Sequence, residues 1–376
     1  MSEPEIMMVA GEASGDIHCA RLASRIRELR PSVKLVGMGG PLMAQAGVKL
    51  EYDISDLAVI GPTAAIGKIL PLLKRLNGLK RLIERNKPDV IVLVDFPDFN
   101  MRLLPFAHSR RTPVVYYIPP KAWAWRRKRA RKLARYTAAV ASIFPFEAEV
   151  YRKAGANVHY VGHPLLDSAR PSLSKTEAYE RFGLDADKPI IGLMPGSRSK
   201  EVKTHLPVML DSARLIRAEI PECQFILPVA HTIPRDIIPE IMDPPVKITD
   251  GSQVYNMMSV CNLIIVSSGT ATLEAAYMLT PMIVIYKVSI VSWIILNFLV
   301  RLNSTALPNI IADREIVPEL LQGKANPRDV SRTAIRMMKN PQEMTNQKVE
   351  LQKVREKLGD PGTVERTARL VLQLVT

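Results

Sequence analysis

At 376 residues the chain is long enough for two domains that each bury a core, and its 47% hydrophobic content excludes a disordered or fibrous protein. A formal charge of +14 points to an anionic partner, without choosing among nucleic acid, a phosphorylated substrate and an acidic membrane surface. Cys19, Cys223 and Cys261 are odd in number and in no CxxC spacing, which excludes a disulfide framework or zinc ribbon and fits a reducing cytosol.

The N-terminus lacks the basic n-region and long apolar core of a signal peptide. Residues 5–10 (EIMMVA) read as a strand, GEASGD (11–16) as a loop and 17–29 as a helix. A second strand at 33–38 runs into the glycine turn at 39–40. Residues 60–83 interleave apolar side chains with Lys68, Lys74, Arg75, Lys80 and Arg81. Such a basic amphipathic stretch suits a membrane interface, with a core-facing helix as the alternative. DVIVLV (89–94) is a continuous apolar run of the kind found in parallel sheets covered on both faces, and 114–118 repeats it. Further strands are expected at 138–143 and 158–161.

After a polar, proline-punctuated stretch from 164 to 189 the pattern restarts: strand 189–194 (PIIGLM), loop PGSRSKE and helix 206–218, with later strands at 224–228 and 263–266. The most apolar segment is 281–302; its uninterrupted part, 288–300, falls short of the roughly 20 residues that cross a bilayer. The chain therefore reads as cytoplasmic and not transmembrane. Residues 347–374 are charged and amphipathic and read as helix. The fold class is α/β, two Rossmann-like, doubly wound domains facing a central cleft, since alternation of this kind forces parallel strands with right-handed crossovers. The expected boundaries are 1–163, 164–345 and a C-terminal helical segment, 346–376.

The most informative stretch is LIIVSSGTATLEAAY, 263–277. A strand ends in a small-residue loop that opens a helix, where unpaired N–H groups and the helix dipole favour a phosphate. Small side chains at Ser267, Ser268, Gly269 and Thr270 let an anion approach the backbone, and Glu274, one turn further in, can accept bonds from a ribose diol. The pattern suggests a nucleotide held by its diphosphate and sugar. The first loop is not GxGxxG, and no acidic residue ends the second strand, so a nicotinamide dehydrogenase is unfavoured.

Arg198 in PGSR stands where a strand ends; its guanidinium can fork onto a diphosphate, or be no more than a surface arginine. Asp95 and Asp98 in DFPDFN lie just beyond a buried strand, where a carboxylate can take a proton from a substrate hydroxyl or merely cap a helix. His159 and His163 flank a strand-to-loop transition and read as structural. The run Trp123 to Lys132 places many cations beside two tryptophans, which suits nucleic acid, a solvated helix face or an acidic lipid surface.

Eight motifs in order carry a resemblance: AGEASGD (10–16), GGPLM (39–43), DFPDFN (95–100), PPKAWAWR (119–126), VGHPL (161–165), PGSR (195–198), SSGTATLEA (267–275) and LPNIIADREIVPELLQ (307–322). Together they resemble the lipid-A-disaccharide synthases, glycosyltransferases of the GT-B fold. That resemblance implies inverting transfer of 2,3-diacylglucosamine from UDP to the 6-hydroxyl of 2,3-diacylglucosamine 1-phosphate, with no cofactor and no bound metal. It implies Asp98 as general base, with Arg198 and Asn309 at positions linked to activity. The implied substrate-binding set is Glu12, Ser14, Gly15 and Asp16 in the first loop, Asn100, Ser197, and Ser267, Ser268, Gly269, Thr270, Thr272 and Glu274. The expected partners are the two lipid substrates and an anionic membrane surface on the inner face of the inner membrane, without nucleic acid; a homodimer is left open. Other readings are another UDP-sugar transferase, a UDP-sugar 2-epimerase, or a basic nucleotide- or RNA-binding protein.

Overall fold

The structure, a computed structural model, describes residues 3–54, 64–120, 128–240, 242–288 and 304–375, with backbone only for 64–69. The expectations that fall on 55–63, 121–127 and 289–303 lie outside the described residues: the start of the amphipathic stretch, both tryptophans of the basic run, and most of the apolar segment. The chain divides into two compact units, Met1–Asp167 with Leu358–Thr376, and Ser168–Lys357.

The N-terminal unit holds a seven-stranded, all-parallel sheet of order β3-β2-β1-β4-β5-β6-β7. Its strands are β1 (Glu5–Val9), β2 (Lys34–Gly39), β3 (Lys49–Asp53), β4 (Val90–Val94), β5 (Val114–Tyr117), β6 (Ala139–Ser142) and β7 (Val158–Tyr160). Its helices are α1 (Ala13–Leu29), α2 (Pro41–Gln45), α3 (Ala64–Asn86), α4 (Pro97–Ser109), α5 (Lys128–Tyr136) and α6 (Pro145–Lys153). Alternate strand residues point to opposite faces, so a sheet covered on both sides needs apolar residues at every position. Met7, Val9, Ile91 and Leu93 pack on Leu76, Leu79 and Leu82 of α3 and Leu103 and Leu104 of α4. The other face is covered by α1, which buries Cys19, Leu22, Ala23 and Ile26.

The C-terminal unit holds a six-stranded parallel sheet of order β10-β9-β8-β11-β12-β13. Its strands are β8 (Ile190–Met194), β9 (Gln224–Val229), β10 (Val246–Asp250), β11 (Leu263–Ser267), β12 (Met282–Tyr286) and β13 (Glu319–Leu321). Its helices are α7 (Lys175–Phe182), α8 (Ser199–Glu219), α9 (Val254–Val260), α10 (Thr270–Tyr277), α11 (Leu307–Ala312), α12 (Pro327–Lys339) and α13 (Pro341–Lys357). Ile191, Leu193, Leu263 and Ile265 pack against Leu206, Met209 and Ala213 of α8 and Val330, Ala334 and Met337 of α12.

The last helix, α14 (Thr363–Leu372), returns to the N-terminal unit, so the C-terminal segment is divided rather than a third piece. The Asp167 carboxylate accepts from the Gly362, Thr363 and Val364 amides at 2.5, 3.2 and 2.9 Å, capping the helix where its N–H groups have no internal partner. Arg366 donates to Val161 O at 2.9 Å, Arg25 of α1 pairs with Glu365, and α14 lies along α1. These ties also move the first boundary from 163 to 167. No helix among the described residues is long and apolar enough to cross a membrane.

Candidate functional site

Strand order reverses between β1 and β4 in one unit and between β8 and β11 in the other. Doubly wound sheets bind ligands beyond the carboxyl ends of their strands at such switch points. The four loops there are GEASGD, DFPDF, PGSR and SSGT, each carrying residues singled out from the sequence.

In the N-terminal unit the turn after β4 is strained. Asp95 and Phe96 adopt φ of 47° and 44°, a left-handed conformation that costs a residue with a Cβ of the order of 1 kcal/mol or more. Neighbours over-determine it: Asn100 Nδ2 and the Tyr116 hydroxyl both donate to Asp95 O at 2.8 Å, and Asn100 also reaches Val94 O at 3.3 Å. Burial pushes the Tyr116 hydroxyl well above its ordinary value, so it stays a donor. Pro97 opens α4 with its ring-fixed φ, and Asp98 follows in the first turn. Asp98 is 79% exposed and pairs with Arg129 of α5, which is 17% exposed.

Several residues expected to touch substrate are instead engaged by the protein. Asn100 is fully buried; its Nδ2 anchors the strained turn, and its buried Oδ1 has no hydrogen-bond partner among the described residues. Asp16 is buried and accepts from the Gly40, Leu42 and Met43 amides at 2.8, 3.1 and 3.1 Å, capping α2 from a distance. Gly15 is buried where α1 passes the strand ends; a Cβ there would meet Ala10 Cβ at 3.3 Å. Gly11 faces the Phe96 ring, 2.0 Å from where a Cβ would sit. Glu12 and Ser14 remain exposed. His18, in the first turns of α1, is pushed down to about 4 by burial and by Arg21, so its imidazole is neutral at physiological pH.

In the C-terminal unit, PGSR flows into α8 at Ser199 and not at the expected 206, because polar residues fill the first turns. Glu201 closes the corner: it accepts from the Ser197 and Arg198 amides at 3.2 and 3.3 Å and pairs with the Arg198 guanidinium at 2.8 Å. Both charges are solvated, Arg198 being 75% exposed, so this pair is worth at most about 1 kcal/mol and an anion can displace it. Buried His205 fixes the loop from behind, its Nδ1 3.0 Å from Pro195 O and its Nε2 accepting from the Lys287 amide at 3.2 Å. One acceptor and one donor assign the Nδ1–H tautomer.

The loop after β11 is open backbone. Among the described residues nothing lies within 4 Å of where a Cβ on Gly269 would stand, directly before the α10 amides. Thr270 is exposed there, while Ser267 and Thr272 are buried, and Thr272 donates to Gly269 O at 2.7 Å. Ser268 donates to Thr305 O at 3.0 Å. Glu274 accepts from the Tyr255 hydroxyl at 3.0 Å, and burial raises its carboxyl above the ordinary carboxylate value. A carboxylate has about four acceptor sites, so one phenol leaves room for a diol.

Asn309, expected at a position linked to activity, is a hydrogen-bonded knot. Its Oδ1 accepts from the Ile316 and Val317 amides at 2.7 and 2.9 Å, and its Nδ2 donates to Val317 O at 2.9 Å and Glu319 Oε1 at 2.6 Å. All four amide valences are filled in a buried side chain, so none remains for substrate. Glu319 also takes the Thr305 amide at 2.8 Å and its hydroxyl at 2.7 Å, linking the knot to Ser268 through Thr305.

Sequence reasoning did not find Tyr116, Glu201, His205, Tyr255 or Glu319. Glu201 had a signal, since a Glu three residues after a cap position marks a capping box. The others act through partners distant in sequence, and only the fold joins them. His163 is structural as expected, its Nδ1 accepting from the Leu165 amide at 3.2 Å. Among the described residues no group of three His, Cys, Asp or Glu could hold a metal.

A family model described as lipid-A-disaccharide synthetase matches residues 6–373. A lipid-A-disaccharide synthase of Geobacter metallireducens is 41% identical over 98% of this chain and 97% of that protein. Among solved structures, a UDP-GlcNAc 2-epimerase from Neisseria meningitidis bound to UDP-GlcNAc superposes with a TM-score of 0.64 at 13% identity, covering 98% and 100% of the two chains. The calicheamicin glycosyltransferase CalG4 does so with a TM-score of 0.63 at 14% identity, covering 100% and 98%. At such identities the likeness shows the fold alone, and that fold is GT-B.

Proposed function

Since the chain belongs to the lipid-A-disaccharide synthase family and is a glycosyltransferase of lipid A disaccharide formation, we propose a division of labour between its two units. The C-terminal unit holds the UDP of the donor, UDP-2,3-diacylglucosamine. The α10 amides beside Gly269 take the diphosphate, Glu274 takes the ribose diol, and Arg198 leaves Glu201 to take up charge on departing UDP. The N-terminal unit supplies Asp98, which removes the proton of the acceptor 6-hydroxyl as the sugar is displaced with inversion. The observation that carries this reading is the corner at Gly269 and Glu274, open at the backbone beside a buried carboxyl with unused acceptor capacity.

The same reading places the enzyme on an anionic membrane surface, at the cytoplasmic face of the inner membrane. Leu70 and Leu73 of α3 are 66% and 38% exposed, beside exposed Lys74. Leu76 is buried and Leu72 packs on the core, so only part of the amphipathic stretch is free to dock.

Purified protein given UDP-diacylglucosamine and diacylglucosamine 1-phosphate is expected to release UDP and form the disaccharide. UDP release no greater than in protein-free controls overturns the reading.

A further inference from the structure

Asp98 and Arg102 lie four residues apart on α4, one turn or about 6 Å along the same face. Arg129 and Lys132 lie three apart on α5, while Ala130 and Leu133 of that helix turn into the core. The two helices pack side by side, so the pairs face one another. Arg129 meets Asp98. Lys132 loses proton affinity first to burial and then to the Arg102 guanidinium, in keeping with the facing positions of these residues on the two packed helices. No carboxylate among the described residues contributes to Lys132.

Among the described residues the cluster thus sets Arg102, Arg129 and Lys132 against the Asp98 carboxylate. Arg129 has a bond to one Asp98 oxygen, and a guanidinium carries five N–H donors, so donors remain. Like charges held together without a counter-ion repel, and a group of nearly two negative charges relieves that repulsion. A phosphate monoester carries about −1.5 to −2 at neutral pH, with three acceptor oxygens.

We propose that Arg102, Lys132 and the remaining donors of Arg129 form a phosphomonoester subsite for the acceptor sugar, one helix turn from Asp98. The proposal rests on the reading of Asp98 as the acceptor-side base. The subsite fixes the anomeric phosphate so that the far end of the ring, with its 6-hydroxyl, is presented to the carboxylate. It selects a phosphorylated acceptor over its dephosphorylated counterpart, and it gives Arg129 two tasks, steadying Asp98 and sharing the phosphate.

Arg102→Gln and Lys132→Gln, with Arg102→Lys as the charge-retaining control, test it in assays with a detergent-solubilised acceptor bearing or lacking its 1-phosphate. Each Gln variant is expected to raise KM for the phosphorylated acceptor about tenfold, the value of one charge-assisted contact, with kcat changed less than about twofold. Arg102→Lys is expected to recover most of the loss, and the KM for the acceptor without phosphate is expected not to move. Melting temperatures within the scatter of the parent protein establish that the folds are intact. Unchanged KM for the phosphorylated acceptor, or equal losses on both acceptors, overturns the subsite. Unchanged KM with loss of sedimentation on phosphatidylglycerol vesicles, but not on phosphatidylcholine vesicles, assigns the cations to lipid headgroups and likewise overturns it. A failure of the base reading is separable: Asp98→Asn with normal turnover reassigns the base, while the KM contrast between the two acceptors still reports on the phosphate.

Discussion

Both units are doubly wound around a switch point, yet the two switch points are built in opposite ways. In the N-terminal unit side chains close the loops: the Phe96 ring fills the space before Gly11, Asp16 caps α2, and Asn100 with Tyr116 clamps the strained turn at Asp95. What faces solvent there is charge, Asp98 and its cations. In the C-terminal unit the decisive surface is bare backbone at Gly269, with one buried carboxyl beside it. Backbone amides suit a diphosphate, whose recognition needs donors but no proton transfer. A proton acceptor needs a side chain held in one place, and a strained turn clamped by Asn100 and Tyr116 is a way to hold it.

Asp98→Asn breaks the comparison hardest. Loss of a general base is expected to lower kcat by about two orders of magnitude or more while UDP binding, read by calorimetry, stays as in the parent. Near-normal turnover moves the base to Glu12 or neutral His18; weakened UDP binding removes the division of labour itself. Asn309→Ala comes next and acts on the fold. It leaves the Ile316 and Val317 amides and Glu319 without their partner in a buried place, which is expected to cost about 2–3 kcal/mol in denaturant unfolding. A variant as stable as the parent but inactive returns Asn309 to a catalytic role. Arg198→Ala is expected to weaken UDP binding about tenfold, with stability altered by less than about 1 kcal/mol, because its pair with Glu201 is solvated.

The sequence carried the central strands of both sheets because they are continuous apolar runs, and the switch-point loops because they follow those runs. It did not carry β3, β10 or β13, whose short sequences KLEYD, VKITD and ELL mix charge with apolar residues as edge strands do. The strand β12 was hidden inside the apolar segment from 281, since a run without periodicity does not separate a buried strand from a span. At the site, the exposed Asp98 and Arg198 and the buried carboxyl of Glu274 were singled out from position alone. Asp16, Asn100 and Thr272, expected to bind substrate, and Asn309, expected at a position linked to activity, make hydrogen bonds within the protein, and polar residues that hold a loop in shape occupy the same motifs as those that hold a ligand. Only hydrogen-bond partners separate the two, and those partners are up to 27 residues away, as between Asp16 and Met43.

Glu274 gives the finest test of the comparison, since its titration can be read against nucleoside binding in the donor corner. Burial raises its carboxyl above the ordinary value of 4.5, so as pH rises from there the free protein keeps it protonated longer than an unfolded chain does. The folded state is therefore favoured at the acid end of that window and loses this advantage as the group ionises. Ribose hydroxyls donate to the ionised form and lower its proton affinity, so binding strengthens as pH rises through the same window. Uridine is the better probe than UDP, because a terminal phosphate titrates near pH 6 and would add its own slope. Uridine affinity is expected to increase a few-fold between the ordinary carboxylate range and neutrality, and Glu274→Gln to flatten the profile. A slope that survives in Glu274→Gln, or a flat profile in the parent, takes the ribose away from Glu274 and leaves the open backbone at Gly269 to bind the nucleotide by its diphosphate alone.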